Sequence, residues 1–485
     1  MQSAGQLYVQ GAALDWRALH GPARRCVALP GYAWQRERYW VDDPLPSRGG
    51  SEALAARSDE APDVTYALSW RSAPPPASGI SSVDGWLVLC DAGGVGASLV
   101  QALEARGERC LSLTAAEVSR ELDAAVPFQA QVAQARGWGG TLGVVHACGL
   151  DAEATGLEAL RAAEVRSTGS ALRLVQALYA AGVTSPTRLW LVTREGQAVD
   201  GGTVDVSQAP LWGFARSVQQ ELPELSCRAV DLGAGDSAAH TRQLLAELGA
   251  DGEPQAAWRG ERRYVARLER VRAAGSHAPS LRSDGTYLVT GGLGALGLQV
   301  AEWMVARGAR HLALFARRPV SQAHSGALER LRSKGANVHV ASVDIADREA
   351  LSLALAHVAK SMPPLRGVVH AAGVLDEAML PQLTPEQLRR VMAPKVDGAW
   401  SLHELTAGQP LELFVLFSSV GAVFGAPGQA NYGAANAFLG ALAHHRHKLG
   451  LPATAVDFGP WAGEGMSSKL DAARWAAHRL APDVP

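Results

Sequence analysis

Short apolar runs rich in β-branched residues recur along the chain, each followed by small residues and then an amphipathic stretch. Examples are WLVLC (86–90), GVVHA (143–147) and LWLVT (189–193), then YLVT (287–290), HLALFA (311–316), GVVHA (367–371) and FVLFS (414–418). Continuous apolar runs of strand length alternating with helix-period segments predict parallel sheets with helices on both faces, because both sheet faces must be covered. The uncharged stretch 413–443 contains Ser418, Ser419, Pro427, Gln429, Asn431 and Asn436. Those residues do not suit a lipid-facing helix, so the stretch reads as protein interior.

Two polar stretches rich in Gly, Pro, Ser and Ala, residues 44–62 and 272–284, read as linkers. They divide the chain into an N-terminal strip (1–43), a middle block (63–271) and a C-terminal block (285–485). The last two blocks echo one another. WLVLCDAGGVGASL parallels YLVTGGLGALGL, GVVHA occurs in both, RLWLVTREG parallels LFVLFSSVG, and CRAVDLG parallels ATAVDFG. Four segments in the same order indicate an internal duplication. Gly93 to Gly143 spans 50 residues where Gly291 to Gly367 spans 76, so the middle copy lacks about one strand–helix unit.

Composition narrows the class. The 485 residues are 47% apolar and 19% charged, with a net charge of −2, which gives no electrostatic case for nucleic acid or anionic membrane. Five cysteines, Cys26, Cys90, Cys110, Cys148 and Cys227, with no CxxC, form neither a disulfide framework nor a zinc site. Reduced thiols of a cytoplasmic protein are the simple expectation. The N-terminus, MQSAGQLYVQG, shows no signal-peptide pattern.

The chemistry concentrates in the C-terminal block. Between the strand YLVT and a helix lies GGLGALG, in which Gly292, Gly294 and Gly297 form GxGxxG. In that context the loop suits a dinucleotide pyrophosphate seated on the helix N-terminus; a Gly-rich turn packing helix against sheet is the alternative. The next strand ends in Arg317-Arg318, where an NAD site would carry an acid; guanidinium groups suit a 2′-phosphate, although arginines at strand ends are also commonly just solvated. Asp344 is placed either to touch the adenine or to begin a surface turn. The middle block keeps Gly93, Gly94 and Gly96, with Ser98-Leu99 where the third glycine is expected, and has no arginine pair in register; it is expected to bind nothing.

Ser419 ends a strand, Tyr432 follows thirteen residues later, and Asn436 lies one helical turn beyond Tyr432 on the same face. A Ser and a Tyr hydroxyl converging above a nicotinamide suit carbonyl reduction, with the phenol as acid and a nearby cation lowering its pKa. The usual lysine position, four residues after the Tyr, is Asn436; the available lysine is upstream, Lys395.

These residues resemble the ketoreductase domain of a modular type I polyketide synthase, within the short-chain dehydrogenase/reductase superfamily. The match is carried by TGGLGALG (290–297), ARR (316–318), HAAGVLDE (370–377), PKVDGAWSLHELT (394–406), FSSVGAVFGAPGQANYGAANAFLGALA (417–443) and DFGPWAGEGM (457–466). The resemblance implies two Rossmann-like doubly wound parallel-sheet subdomains, the first truncated and non-catalytic. It also implies that the N-terminal strip is the linker following an acyltransferase, one of the neighbouring synthase domains. The expected reaction is NADPH-dependent reduction of a β-ketoacyl chain held on the phosphopantetheine of an acyl carrier protein. The implied catalytic set is Tyr432 as acid, Ser419 on the substrate carbonyl, Lys395 on the ribose and Asn436 on a relay water. The implied cofactor set is Thr290, Gly292, Leu293, Gly294, Gly297, Arg317, Arg318, Asp344, Ala371, Lys395 and Tyr432, with no metal.

Asp376, Glu377, Phe424, Pro427, Asn431 and Met466 are implied on the substrate side. Phe424 where one stereochemical type has Trp, with Pro427, Asn431 and Leu375-Asp376, resembles the B type, which gives a D-3-hydroxyl. Glu377 departs from that type's LDD, and simple loop packing is the alternative for Phe424 and Pro427. In the middle block Thr193 is taken as the match of Ser419, and Val206, thirteen residues on, stands where the Tyr would. A redox-inactive scaffold or epimerase domain is the rival reading; loss of Tyr432 or a broken Gly loop would mark it, and neither is seen.

His444, His445 and His447, beside Arg446 and Lys448, read as a solvated helix end rather than a metal cluster. His146 and His370 are expected to be hydrogen-bonded structural residues, and Trp212 and Trp400 packing residues.

Overall fold

A computed structural model describes residues 65–76, 83–152, 156–182, 186–250, 252–271, 280–459 and 461. The N-terminal strip, the first linker, Cys26 and Met466 lie outside the described residues, as does most of the second linker.

The first sheet contains eight strands: β1 (Thr65–Ala73), β2 (Gly85–Leu89), β3 (Cys110–Leu113), β4 (Leu142–His146), β5 (Thr187–Arg194), β6 (Arg228–Leu232), β7 (Gln255–Arg259) and β8 (Arg262–Val271). The helices that matter below are α1 (Val95–Ala105), α2 (Leu157–Glu164), α3 (Ser170–Ala180) and α4 (Pro210–Glu221). The second sheet contains six strands: β9 (Thr286–Thr290), β10 (His311–Ala316), β11 (Asn337–Ser342), β12 (Leu365–His370), β13 (Leu413–Ser419) and β14 (Thr454–Phe458). Its relevant helices are α5 (Ala295–Ala306), α6 (Gln322–Ser333), α7 (Pro385–Lys395), α8 (Asp397–Thr406) and α9 (Ala430–Lys448).

The second sheet runs β11-β10-β9-β12-β13-β14, all parallel. The strand order reverses between β9 and β12, the switch point at which doubly wound sheets open a crevice at their carboxyl ends. The first sheet repeats this plan as β3-β2-β4-β5-β6, with no counterpart of β11 among the described residues, and extends it by β7, parallel to β6. It then adds β8 and β1 as an antiparallel margin. The shortfall anticipated from the Gly93–Gly143 spacing is thus one outer strand. Every residue of β2, β4 and β9 is buried, which is why these runs are apolar throughout rather than alternating.

The two halves join through helices. α4 packs along α9 so closely that a Cβ on Gly213 would stand 2.1 Å from the Gly433 carbonyl oxygen, and a Cβ on Gly433 would stand 2.9 Å from that of Gly213. Beside them an ionic group is shared: Arg161 on α2 reaches Asp397 at 2.9 Å, and Arg389 on α7 meets both Glu164, at 2.6 Å, and Asp397.

Strand register corrects one correspondence. His146 faces Leu191 as His370 faces Leu416, and Thr193 pairs with Asp231 as Ser418 pairs with Asp457. Thr193 therefore corresponds to Ser418, and the counterpart of Ser419 is Arg194. Nor does Val206 stand in for Tyr432. Trp212 precedes Gly213 as Tyr432 precedes Gly433, and its indole Nε1 donates to Thr193 Oγ1 at 2.8 Å. The connection from Arg194 to Trp212 is five residues longer than that from Ser419 to Tyr432, so equal spacing pointed to the wrong residue.

The end of α9 also differs from expectation. His444 and His447 are exposed, but Arg446 is fully buried, with its guanidinium 3.7 Å from the centroid of the Phe414 ring and bonded to Pro452 O and His403 Nδ1, each at 3.0 Å. A guanidinium stacks on an aromatic face where an ammonium would need more water. No group that could hold a metal ion occurs among the described residues. None of the described helices is long and apolar enough to cross a membrane.

Candidate active site

The glycine loop begins where β9 ends. Gly291 has φ +69°, and a Cβ there would stand 2.9 Å from the Ala371 backbone, so the loop lies directly on the end of β12. A Cβ on Gly297 would stand 2.2 Å from Gly291 O, so only glycine lets the first turn of α5 close onto the loop. Above it opens a cavity of about 550 Å³, the size of a small-molecule or cofactor site.

Leu293, Gly294, Gly297, Arg317, Arg318, Asp344 and Ala371 line this cavity. Thr290, Gly292, Lys395 and Tyr432 do not, although Pro394, the neighbour of Lys395, does. Thr290 is fully buried with its hydroxyl against His370 Nδ1 at 2.8 Å, and Gly292 faces β10, where a Cβ would stand 2.8 Å from Leu314. Arg317 and Arg318 are exposed and pair with no carboxylate among the described residues. Asp344 lines the cavity and also accepts from Ala346 N at 3.0 Å, so it is a turn former and a wall at once. A helix N-terminus without a side-chain cap, a cradle that side chains would fill and two guanidinium groups with no carboxylate partner among the described residues fit a phosphorylated dinucleotide.

The middle block's loop is built differently. A Cβ on Gly96 would stand 2.8 Å from Cys90 Cα, so Gly96, not the Ser98-Leu99 position, takes the role of Gly297. The N–H donors are occupied by the chain's own carboxylates. Asp151 accepts from Ala92 N at 2.8 Å and Gly93 N at 3.3 Å, and Asp91 accepts from Val95 N at 3.2 Å and Gly96 N at 2.6 Å. These anions sit where a pyrophosphate would bind.

Ser419, Tyr432, Lys395 and Asn436 come together beside the open cavity. Ser419 ends β13 and its Oγ accepts from Gly421 N at 3.2 Å. Lys395 ends α7, whose Pro394 breaks the run into α8; its ammonium donates to Phe417 O at 2.9 Å and lies 5.7 Å from the centroid of the Tyr432 ring. Burial pushes Lys395 down to about 7, with Asp457 acting against the shift. Burial also raises the Tyr432 phenol, against hydrogen bonding from Asn436 and Ser419. The expected lowering of the phenol by Lys395 is therefore reversed here, because the same dry environment that disfavours phenolate also disfavours ammonium. Asn436 Nδ2 donates to Tyr432 O at 2.8 Å, while its Oδ1 is buried without a partner.

The residues expected on the substrate side lie on two loops, and on the start of α9, that dock on one another. Asp376 accepts from Gln387 Nε2 at 2.9 Å and Arg390 Nη1 at 2.6 Å, and Glu377 accepts from Gln429 Nε2 at 2.6 Å. Asn431 donates to Asp376 O at 2.8 Å and accepts from Tyr432 N at 2.8 Å, tying Tyr432 to that loop. Phe424 and Pro427 are exposed. Sequence reasoning missed the groups that the first subdomain sends here: Arg216, buried and bonded to Ala422 O, with Glu221, Gln220 and Gln176. They belong to no local motif.

Comparison with known proteins agrees with this geometry. Residues 285–463 match a family described as KR domain, and residues 68–268 match the Rossmann fold domain of the polyketide synthase extender module SpnB. A solved structure described as an A-type ketoreductase from a modular polyketide synthase is 33% identical, covers 84% of this chain and 85% of its own, and superposes with a TM-score of 0.71. The first ketoreductase of the tylosin synthase is 34% identical over 83% of each chain, with a TM-score of 0.67. The erythronolide synthase of Saccharopolyspora erythraea is 36% identical over 96% of this chain, which spans only 14% of that protein's length. For the pikromycin synthase component of Streptomyces venezuelae the identity is 34% over the full chain and 29% of the relative. Identity of a third across more than four fifths of solved ketoreductases, joined to the same paired-sheet architecture, assigns the family: the chain belongs to the ketoreductases of modular polyketide synthases, pyridine-nucleotide-dependent oxidoreductases of the short-chain dehydrogenase/reductase type.

Proposed function

We propose that this ketoreductase reduces the β-ketone of a polyketide thioester, presented by an acyl carrier protein, to a D-configured 3-hydroxyl with NADPH. The observation carrying this reading is the convergence of Ser419, Tyr432 and Lys395 beside a glycine-loop cavity edged by two unpaired arginines.

When bound, the nicotinamide supplies a hydride to the β-carbon. Leu293, Gly294 and Gly297 would hold the pyrophosphate, and Arg317 with Arg318 the 2′-phosphate that distinguishes NADPH from NADH. Ser419 hydrogen-bonds the ketone oxygen as negative charge develops there. Tyr432 gives that oxygen its proton; a raised pKa keeps the phenol protonated and ready as an acid. Lys395, when charged, would stabilise the phenolate left behind and would hold the ribose. Asn436 has one unused buried acceptor, Oδ1, for a proton-relay water.

The hand of reduction rests on local residues rather than on overall likeness, since ketoreductases of different stereochemical types share the fold. Phe424 and the Asp376–Asn431 bond support the B-type reading, and Glu377 keeps the loop docked through Gln429. The test is NADPH oxidation with a racemic 2-methyl-3-ketoacyl thioester, Tyr432→Phe in parallel, and chiral analysis of the product. Turnover that vanishes in Tyr432→Phe, giving one D-3-hydroxy diastereomer, is expected; an L-alcohol overturns the stereochemical reading, and no turnover by the unmodified protein overturns the function.

A further inference from the structure

Glu221, the last residue of α4, belongs to the subdomain that lacks the Ser–Tyr pair, yet its carboxylate faces the other subdomain. Its Oε2 accepts from Leu380 N at 2.7 Å and its Oε1 from Gly428 N at 2.8 Å. Each oxygen thus holds one of the two loops that carry the substrate-side residues. Leu380 follows Leu375-Asp376-Glu377, and Gly428 sits between Pro427 and Gln429 with φ +76°. The loops also meet directly, Ala378 N donating to Gly428 O at 3.1 Å. Two neighbours reinforce the grip: Gln176 on α3 donates to Leu380 O at 3.0 Å and Leu383 O at 2.7 Å, and Gln220 donates to Phe424 O at 3.3 Å.

The placement works against the fold. A carboxylate at a helix C-terminus opposes the helix dipole, burial raises its pKa, and no cation pairs with it among the described residues. Two charge-assisted N–H bonds from the far subdomain offset this, and they form only when both loops are in place.

We propose that Glu221 is a positioning residue for the reduction: it sets the spacing between the 375–380 and 425–429 loops and so the face of the ketone that is presented above the cofactor. The non-catalytic half thereby takes part in stereocontrol. This rests on the reductase reading above, and the unmodified protein's turnover tests that reading separately.

The experiment compares the full chain with Glu221→Ala, Glu221→Gln and, as a control that weakens the same subdomain junction elsewhere, Arg161→Ala. The substrate is the racemic 2-methyl-3-ketoacyl thioester; diastereomer ratio, kcat, KM and melting temperature are read for each. With charged-group hydrogen bonds lost, the diastereomer ratio of Glu221→Ala should fall about tenfold. Glu221→Gln, which keeps one acceptor oxygen, should fall between, and Arg161→Ala should keep the parental ratio even with a similar drop in melting temperature. A parental ratio in Glu221→Ala, or an equal loss in Arg161→Ala, overturns the proposal. If Glu221→Ala does not fold, Glu221→Gln decides: an unchanged ratio refutes it and an eroded one supports it.

Discussion

Gly213 and Gly433 meet backbone to backbone, each occupying the space where the other's side chain would begin. The contact lies one residue from Tyr432 on one helix and one from Trp212 on the other. It therefore couples the seating of Tyr432 to the subdomain that has Trp212 in its place.

Gly213→Ala puts a methyl 2.1 Å from a carbonyl oxygen and 2.4 Å from its carbon, both main chain and unable to rotate away. Separating α4 from α9 should cost about 3 kcal/mol, as overpacking in a rigid interior does. Thermal melts should show the loss, and kcat should fall further than the melting shift accounts for, because Tyr432 moves with α9.

The reduction should weaken as pH rises through about 7. Lys395 has its pKa depressed to about 7 by burial, so its charge, present below that value, is lost above it. Tyr432 is raised and stays protonated through the same range, so the limb belongs to the lysine. Lys395→Arg should abolish the limb, since a guanidinium stays charged. A profile of kcat/KM across about pH 5.5 to 9 checks both.

Acid should destabilise the fold well before most carboxylates titrate. His146 and His370 are fully buried, and burial depresses them to about 4 and about 3. The unfolded chain takes up these protons near the ordinary histidine value of about 6.5. Stability is therefore fully present above that value and declines as pH falls toward 3. Urea midpoints measured down that range should shift steadily, and His370→Gln should flatten the slope.

Arg317→Ala with Arg318→Ala should weaken NADPH binding by about tenfold or more while leaving NADH nearly unchanged, as the loss of charge-assisted phosphate bonds implies. Fluorescence titration of each nucleotide reads the difference without turnover.

Much of this architecture was legible because strands buried on both faces announce themselves as apolar runs, and because the echo of GVVHA and AVDLG/AVDFG revealed two copies. The glycine loop was legible for the same reason that it exists: Gly291 and Gly297 stand where a Cβ has no room. What failed was counting. Thr193 and Val206 were matched by spacing, but the connection before α4 is longer and the register of β5 with β6 makes Thr193 the partner of Asp231. Equally hidden were contacts between distant segments. Nothing near Asp151 in sequence says that it closes the loop at Ala92, nor anything near Glu221 that it binds Leu380 and Gly428. The balance of charge at Lys395 also depends on dryness, which only the packed structure supplies.

A helix pair that closes on bare main chain tolerates few foreign partners. The halves carrying α4 and α9 are matched pieces, joined in one chain, so their encounter is governed by the tether and not by how much protein is present. For anyone assembling hybrid synthases, no seam belongs between α4 and α9. Transplanting the second half alone would leave Gly433 facing whatever side chain the host supplies, and would carry the loops at 375–380 and 425–429 away from the residues that grip them.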